Sequence, residues 1–256
     1  MSKRASRLVN NVTDEEKKLY EGRINPPGAY LGKRENDEAH LGGCAILGDA
    51  GTYYPIMWQE IIRKFEIKSM IDVGCGVGWS TKWFKDNGCT VRGIEGLQEA
   101  IDASPVKKYI RKHDYERDGP YIPVKYSRKN YDLCWSCEFV EHVNAESAGN
   151  FIHTFKSAKY VAMTYAEPGQ GGHHHVNCQP EIYWIKKLEA NGFIYDKENT
   201  EYLREFAKKD KEEWGVFAFD ERVTHPKHGA EIPKVAPWYC DFHFIKRGLF
   251  FVREQD

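Results

Sequence analysis

Glu138-Phe-Val-Glu141-His142 places two carboxylates and an imidazole at positions i, i+3 and i+4. On a helical turn these three side chains share a face, and two acids three apart repel unless a cation sits between them. Mixed oxygen and nitrogen donors of this kind suit Mg, Mn, Fe or Zn in differing degree. More imidazoles follow in His173-His174-His175, behind the glycine-rich run Glu167-Pro-Gly-Gln-Gly-Gly172. A histidine left over from ligation titrates near neutral pH and can take a proton from a nucleophile. Earlier in the chain, Asp72-Val-Gly74-Cys75-Gly76-Val-Gly78 sets an acid just before three alternate glycines, and Glu95 and Asp114 come later. Glycines here let the backbone approach a ligand with no Cβ in the way. The acid beside them would repel a phosphate and attract an ammonium group.

Such residues need a frame that delivers them to one edge. The apolar run 68–73, bounded by the glycine loop, predicts a buried parallel strand. Residues 79–87 predict a helix with Trp79, Trp83 and Phe84 on one face and Gly88 just past its end. A second strand ends at Glu95, and a short third unit at 106–110 precedes His113-Asp114-Tyr115. A fourth strand, 131–136, runs into Cys137 and Glu138. Helices at 55–65, 145–157 and 180–190, with strands at 160–165, 193–195 and 248–253, complete the pattern. Residues 203–214, rich in Lys and Glu, read as a solvated helix. Alternation of strands and helices predicts an α/β fold, a Rossmann-like, mostly parallel sheet with helices on both faces. Ligands of such sheets sit beyond the carboxyl ends of the strands. Residues 55–256 form this domain; residues 1–54 are an N-terminal extension, with a short helix over 12–20 and a glycine-rich lid over 29–54.

Composition narrows the partners. The chain has 256 residues and a net charge of −1, so nothing global attracts it to nucleic acid or to an anionic membrane. No apolar run approaches the roughly 20 residues of a membrane-spanning helix, and no apolar segment follows the basic residues Lys3, Arg4 and Arg7, which read as a charged tail. Seven dispersed cysteines indicate reduced thiols and a cytoplasmic location. The lone pair Cys134-Trp-Ser-Cys137 reads as two small buried residues at a strand end. Tyr53, Tyr54 and Trp58 fit core packing better than an acceptor wall. No basic groove interleaved with aromatics is visible, which favours a small-molecule or glycan partner over nucleic acid.

The dinucleotide fingerprint G-x-G-x-x-G uses its third glycine for close packing beside a pyrophosphate. Here Trp79 stands in that place, and its indole argues against a pyrophosphate. Asp72 suits a cationic amino-acid end, Glu95 can accept from two ribose hydroxyls, and Asp114 can accept from an adenine amino group. The ligand implied is S-adenosylmethionine.

Taken together, Asp72 to Gly78, Glu95 and His113-Asp114 resemble the class I S-adenosylmethionine-dependent methyltransferases. The resemblance implies a seven-stranded sheet whose last strand is antiparallel. It implies that Gly74 and Gly76 face the methionine part, that Glu95 holds the ribose and that Leu97 packs on the adenine. Cys75, Gly78, Gly96, Tyr115 and Cys137 join the same cofactor set, with Cys137 and Glu138 at the strand tip where the methyl group is delivered. Glu-x-x-Glu-His with a later histidine also resembles the metal site of the small-RNA 3′-terminal 2′-O-methyltransferases and a motif of the ubiquinone-pathway O-methyltransferases. Carried over, the metal ligands are Glu138, Glu141, His142 and His175, and His173 or His174 is the spare base. The expectation is a metal-assisted O-methyltransferase acting on a sugar or glycan hydroxyl. Its alternatives are a metal-free O- or N-methyltransferase with His142 or His175 as base, a cofactor-binding scaffold without turnover, and an RNA 2′-O-methyltransferase.

Overall fold

The computed structural model describes residues 30–31, 39–41, 44–45, 50–123, 131–214 and 242–254. The strands β1 (Ser69–Val73), β2 (Thr90–Glu95), β3 (Ile110–Lys112), β4 (Tyr131–Ser136), β5 (Ala158–Met163), β6 (Phe193–Tyr195) and β7 (Leu249–Arg253) form one sheet. Their spatial order is β3-β2-β1-β4-β5-β7-β6. The first five in that order pair in parallel, and β7 runs antiparallel to both its neighbours, as the resemblance implies. Connections diverge on either side of β1 and β4, so a crevice opens at their carboxyl ends.

Helices cover both faces because the strands are apolar on both. On one side α1 (Pro55–Phe65), α2 (Trp79–Asp86), α6 (Lys197–Trp214) and α7 (His243–Arg247) bury Tyr54, Trp58, Phe84 and Leu203 against Trp135 and Phe250. On the other, α4 (Ala148–Phe155) and α5 (Glu181–Glu189) bury Phe151, Phe155 and Trp184 against Ile71, Cys134 and Phe251. Successive residues of β4 and β7 thus point into opposite layers, the period of a strand covered twice. The short α3 (Gln98–Ala103) follows β2.

Tyr54 and Trp58 are core residues, as expected, and Cys134 and Cys137 are buried free thiols. The solvated reading of 203–214 is too simple. The helix begins at Lys197 and buries Thr200, Leu203, Ala207 and Asp210. The Asp210 carboxylate accepts from the backbone N–H groups of Ile56 (2.8 Å) and Met57 (2.9 Å), two donors that the first turn of α1 leaves without helical partners. It does from across the fold what an N-cap side chain does locally. The predicted helix at 12–20, the basic residues Lys3, Arg4 and Arg7 and most of the predicted lid lie outside the described residues.

Candidate active site

The glycine loop joins β1 to α2. Gly74, Gly76 and Gly78 all have positive φ, at 72°, 53° and 80°, a region that costs other L-residues roughly 1–2 kcal/mol. Space as well as backbone requires Gly74, since a Cβ there would enter the Phe139 ring. Asp72 is buried, and its Oδ2 accepts from Ser80 Oγ (2.5 Å) and Thr81 Oγ1 (2.7 Å). Burial pushes its carboxyl up to about 6, against the opposing pull of those hydroxyls. The acid expected to face an ammonium group is therefore anchored on the first turn of α2, where it fixes the loop. Glu95 spans the loop from the β2 tip. Its Oε2 accepts from Gly76 N–H and its Oε1 from Leu97 N–H, each at 2.8 Å. Cys75 packs against Gly93, and Leu97 is buried with Val77 and Ala100.

Beyond β3, the carboxylate of Asp114 is held on both oxygens. Oδ2 accepts from His40 Nε2 at 2.9 Å and Oδ1 from Glu116 N–H at 2.9 Å. Tyr115 turns into the core, its ring against Phe139 and Phe151 and its hydroxyl on Thr154 Oγ1 at 3.0 Å. It supports the loop from below, so its place in the cofactor set is not one of direct exposure at the crevice. Cys137 sits at the β4 tip, with the Thr164 hydroxyl 3.6 Å from its sulfur. Gly96 leaves room for Leu41.

The acceptor side departs from the single helical turn that the spacing predicts. Glu138 has φ of 51°, so the chain kinks before a one-turn 3-10 helix, Val140–His142. Glu141 and His142 point inward, and His175 comes to meet them from the glycine-rich loop. One ligand atom from each lies within 4.8 Å of the other two. Glu138 stands outside this group. Its Oε1 lies 3.2 Å from His243 Nδ1 and 3.3 Å from Thr164 Oγ1. The predicted four-ligand set thus becomes three convergent donors, because the left-handed kink turns Glu138 away from the face it would share on a helix.

This trio has donors to spare. Both carboxylate oxygens of Glu141 and Nδ1 of His142 are buried with no hydrogen-bond partner, a costly arrangement for polar atoms away from water. The Nδ1–H of His175 donates to Gln170 O at 3.2 Å, which leaves Nε2 with its lone pair. Burial pushes the Glu141 carboxyl up to about 7, with its own backbone N–H, then Arg247 and the Glu138 carboxyl pulling the other way. Burial likewise lowers His142 to about 3, and the nearby imidazole of His175 adds to the effect. A carboxylate and two neutral imidazoles are what a divalent cation takes as ligands. His174 has φ of 48° and a buried Nε2 without a partner. Burial lowers its pKa, which favours the neutral ring. His173 instead donates from Nε2 to Ala39 O at 3.0 Å. Two non-glycine residues in the left-handed region, Glu138 and His174, thus flank the trio, and such strain concentrates at functional sites.

Sequence reasoning missed His40, Leu41, Thr164, His243 and Arg247. Each comes from a segment remote in the chain, and no spacing connects it to the site.

Residues 71–156 match the family model described as a methyltransferase domain. No curated protein matches the chain. Among solved structures, the chain is similar to the methyltransferase domain of bacterial CtHen1-C (14% identity, TM-score 0.42, covering 77% of this chain and 94% of that one). It is similar also to magnesium protoporphyrin IX methyltransferase from Synechocystis PCC 6803 with bound SAM (15%, 0.42, 75% and 88%). A third similar structure is the [4+2]-cyclase SpnF (16%, 0.41, 77% and 82%). The matched segment contains the glycine loop, Glu95, Asp114 and the Glu141-His142 turn, and it sits in a sheet of order β3-β2-β1-β4-β5-β7-β6 with β7 antiparallel: residues 71–156 are similar to a methyltransferase domain, carried on a Rossmann-like sheet.

Proposed function

We propose that this enzyme methylates a hydroxyl oxygen of a sugar or glycan-like acceptor, with a divalent cation held by Glu141, His142 and His175. The observation that carries the reading is the set of buried, unpartnered donor atoms on Glu141 and His142 beside the free face of His175. An aliphatic hydroxyl is a poor nucleophile. A bound divalent cation supplies acidity to a coordinated oxygen, lowering a water pKa from about 15.7 towards about 7 in the best case. S-adenosylmethionine supplies an electrophilic methyl carbon on a sulfonium. Bound there, it would give up that methyl to the acceptor oxygen, the C–S electron pair leaving with sulfur.

The chain's own contribution is placement. Ser80 and Thr81 fix Asp72 and with it the loop that faces the methionine part. Glu95 offers the ribose the acceptor capacity that Gly76 and Leu97 leave over, and Leu97 gives the adenine an apolar floor. His174 Nε2, buried and without a partner, takes the acceptor's proton. Imidazole donors in place of a second carboxylate favour Zn or Fe over Mg. Glu138, held by Thr164 near His243, orients the β4 tip rather than binding the ion.

Metal content of the purified protein and calorimetric titration with Zn²⁺ and Mn²⁺ test the ion. Methyl incorporation into nucleotide-sugars, glycans and RNA ends tests the acceptor. Metal-free protein with full activity, unaffected by EDTA, would leave the second reading. That reading is a metal-free O- or N-methyltransferase, and Glu138's engagement away from the trio speaks for it. Cofactor binding with no S-adenosylhomocysteine formed on any acceptor would leave the scaffold.

A further inference from the structure

The single turn Ala39–Leu41 lies between the two halves of the site and touches both. His40 Nε2–H donates to Asp114 Oδ2 at 2.9 Å, its Nδ1 is 4.0 Å from Glu116 Oε2, and the His40 and Asp114 side chains are 8% and 9% exposed. Leu41 packs on the cluster of Val77, Leu97 and Ala100, with its Cδ2 2.5 Å from where a Gly96 Cβ would be. Ala39 O accepts from His173, and the His40 ring lies 6.2 Å from that of His174.

We propose that this turn is an autoinhibitory strap, in which His40 and Leu41 occupy the carboxylate and apolar face that adenine needs, so that cofactor binding displaces the turn and releases its tie to the imidazole loop. The inference rests on Asp114 as the acid that reads the adenine amino group. Both its oxygens are engaged: Oδ2 by His40, with Arg117 Nε 3.8 Å away, and Oδ1 by the backbone of Glu116. The Glu116 bond closes a local turn and can persist. The His40 bond comes from 74 positions away and stands where a ligand donor would arrive. Leu41 similarly covers the apolar patch around Leu97 on which a base would lie. A protein whose binding-competent form is a minor one binds with an affinity reduced by that form's population. A residue that stabilises the closed form alone is therefore a brake on affinity, and removing it tightens binding.

The strap also explains a contact with no other evident purpose. The bond from His173 to Ala39 O joins the triple-histidine loop to the adenosine end of the crevice. When the turn leaves, that loop loses a tether, so arrival of the cofactor is communicated to the side where the acceptor binds.

Calorimetry of S-adenosylhomocysteine binding to the full chain decides the matter, using wild type, His40→Ala and Asp114→Asn. One hydrogen bond to a carboxylate no longer broken on binding should tighten His40→Ala by about tenfold, whereas Asp114→Asn should weaken. Hydrogen exchange supplies a second readout: in wild type the peptide containing Ala39–Leu41 should exchange faster once ligand is added, while the Gly74–Gly78 peptide slows. Should His40→Ala fail to fold, Leu41→Ala serves with the same expected direction. Binding by wild type that is unchanged or weaker in His40→Ala and Leu41→Ala, with the turn protected by ligand, would make it a wall of the pocket and overturn the strap. No binding by wild type or any variant would overturn the adenosine reading itself.

Discussion

The two halves of the crevice treat their polar groups in opposite ways. On the cofactor side every acid is already satisfied: Asp72 by Ser80 and Thr81, Glu95 by Gly76 and Leu97, Asp114 by His40 and Glu116. On the acceptor side, Glu141, His142 and His174 keep buried atoms with no partner. A satisfied carboxylate holds a loop rigid, and its ligand adds to or replaces bonds that exist. An unsatisfied cluster costs the empty fold free energy and returns it when something binds. The first half is built for shape, the second for capture. Changes on the two sides should therefore move stability in opposite directions.

The largest effect is expected from Gly74→Ala, which combines a disfavoured backbone with a clash against Phe139. Chemical denaturation should show a loss of about 4 kcal/mol, with cofactor binding abolished. Next comes Glu95→Ala. Two bonds from backbone N–H groups to a carboxylate are lost, so unfolding should become easier by about 3 kcal/mol, and calorimetry should find ribose-dependent affinity gone.

Glu141→Gln should go the other way in a chelator. Burial raises the folded-state Glu141 carboxyl to about 7 from 4.5. Its contribution to stability is thus fully present below about 4.5 and is lost as pH rises through about 7. The variant lacks that loss, so it should gain on wild type across this window and be more stable by about 2 kcal/mol at pH 8. His142, lowered to about 3 from 6.5, contributes stability above 6.5 that falls away as pH drops towards 3. Both proteins share it, so it cancels in the difference. Added Zn²⁺ should reverse the order by raising the melting temperature of wild type alone. Equal melting curves of the two proteins at every pH would show that the cluster is not a store of unmet hydrogen bonds. The smallest effect belongs to Ser80→Ala. Asp72 keeps Thr81, and a loss of about 1 kcal/mol with nearly normal cofactor affinity would confirm that the hydroxyl positions the loop only.

What the sequence made legible follows the same division. Glycines at 74, 76 and 78 and acids at successive strand tips are local signals, and they located the sheet and the crevice at its edge. The trio's members were also legible, because Glu141-His142 are neighbours and the histidine run is conspicuous. Glu138 falls outside the trio at a left-handed position, and nothing in its residue type announces such a backbone; only the packed fold imposes one. His40 reaches Asp114, and His243 reaches Glu138, through tertiary placement that no spacing encodes. Leu203 to Trp214 looked solvated because its charges outnumber the three positions, Leu203, Ala207 and Asp210, that face the core.

The Asp210 carboxylate has a bearing on how this protein comes into being. The donors it satisfies open the first helix of the domain, yet the acid follows Ile56 by 154 positions. A chain emerging from a ribosome presents α1 long before its terminator of loose ends exists, so the front of the domain must wait for the back. Contacts of such long range slow folding, and they also bind the extremes into one cooperative event. A fragment ending before α6 would therefore lose more than a helix: its opening turn would fray, and the layer holding Trp58 beneath the glycine loop would loosen at the end farthest from the cut.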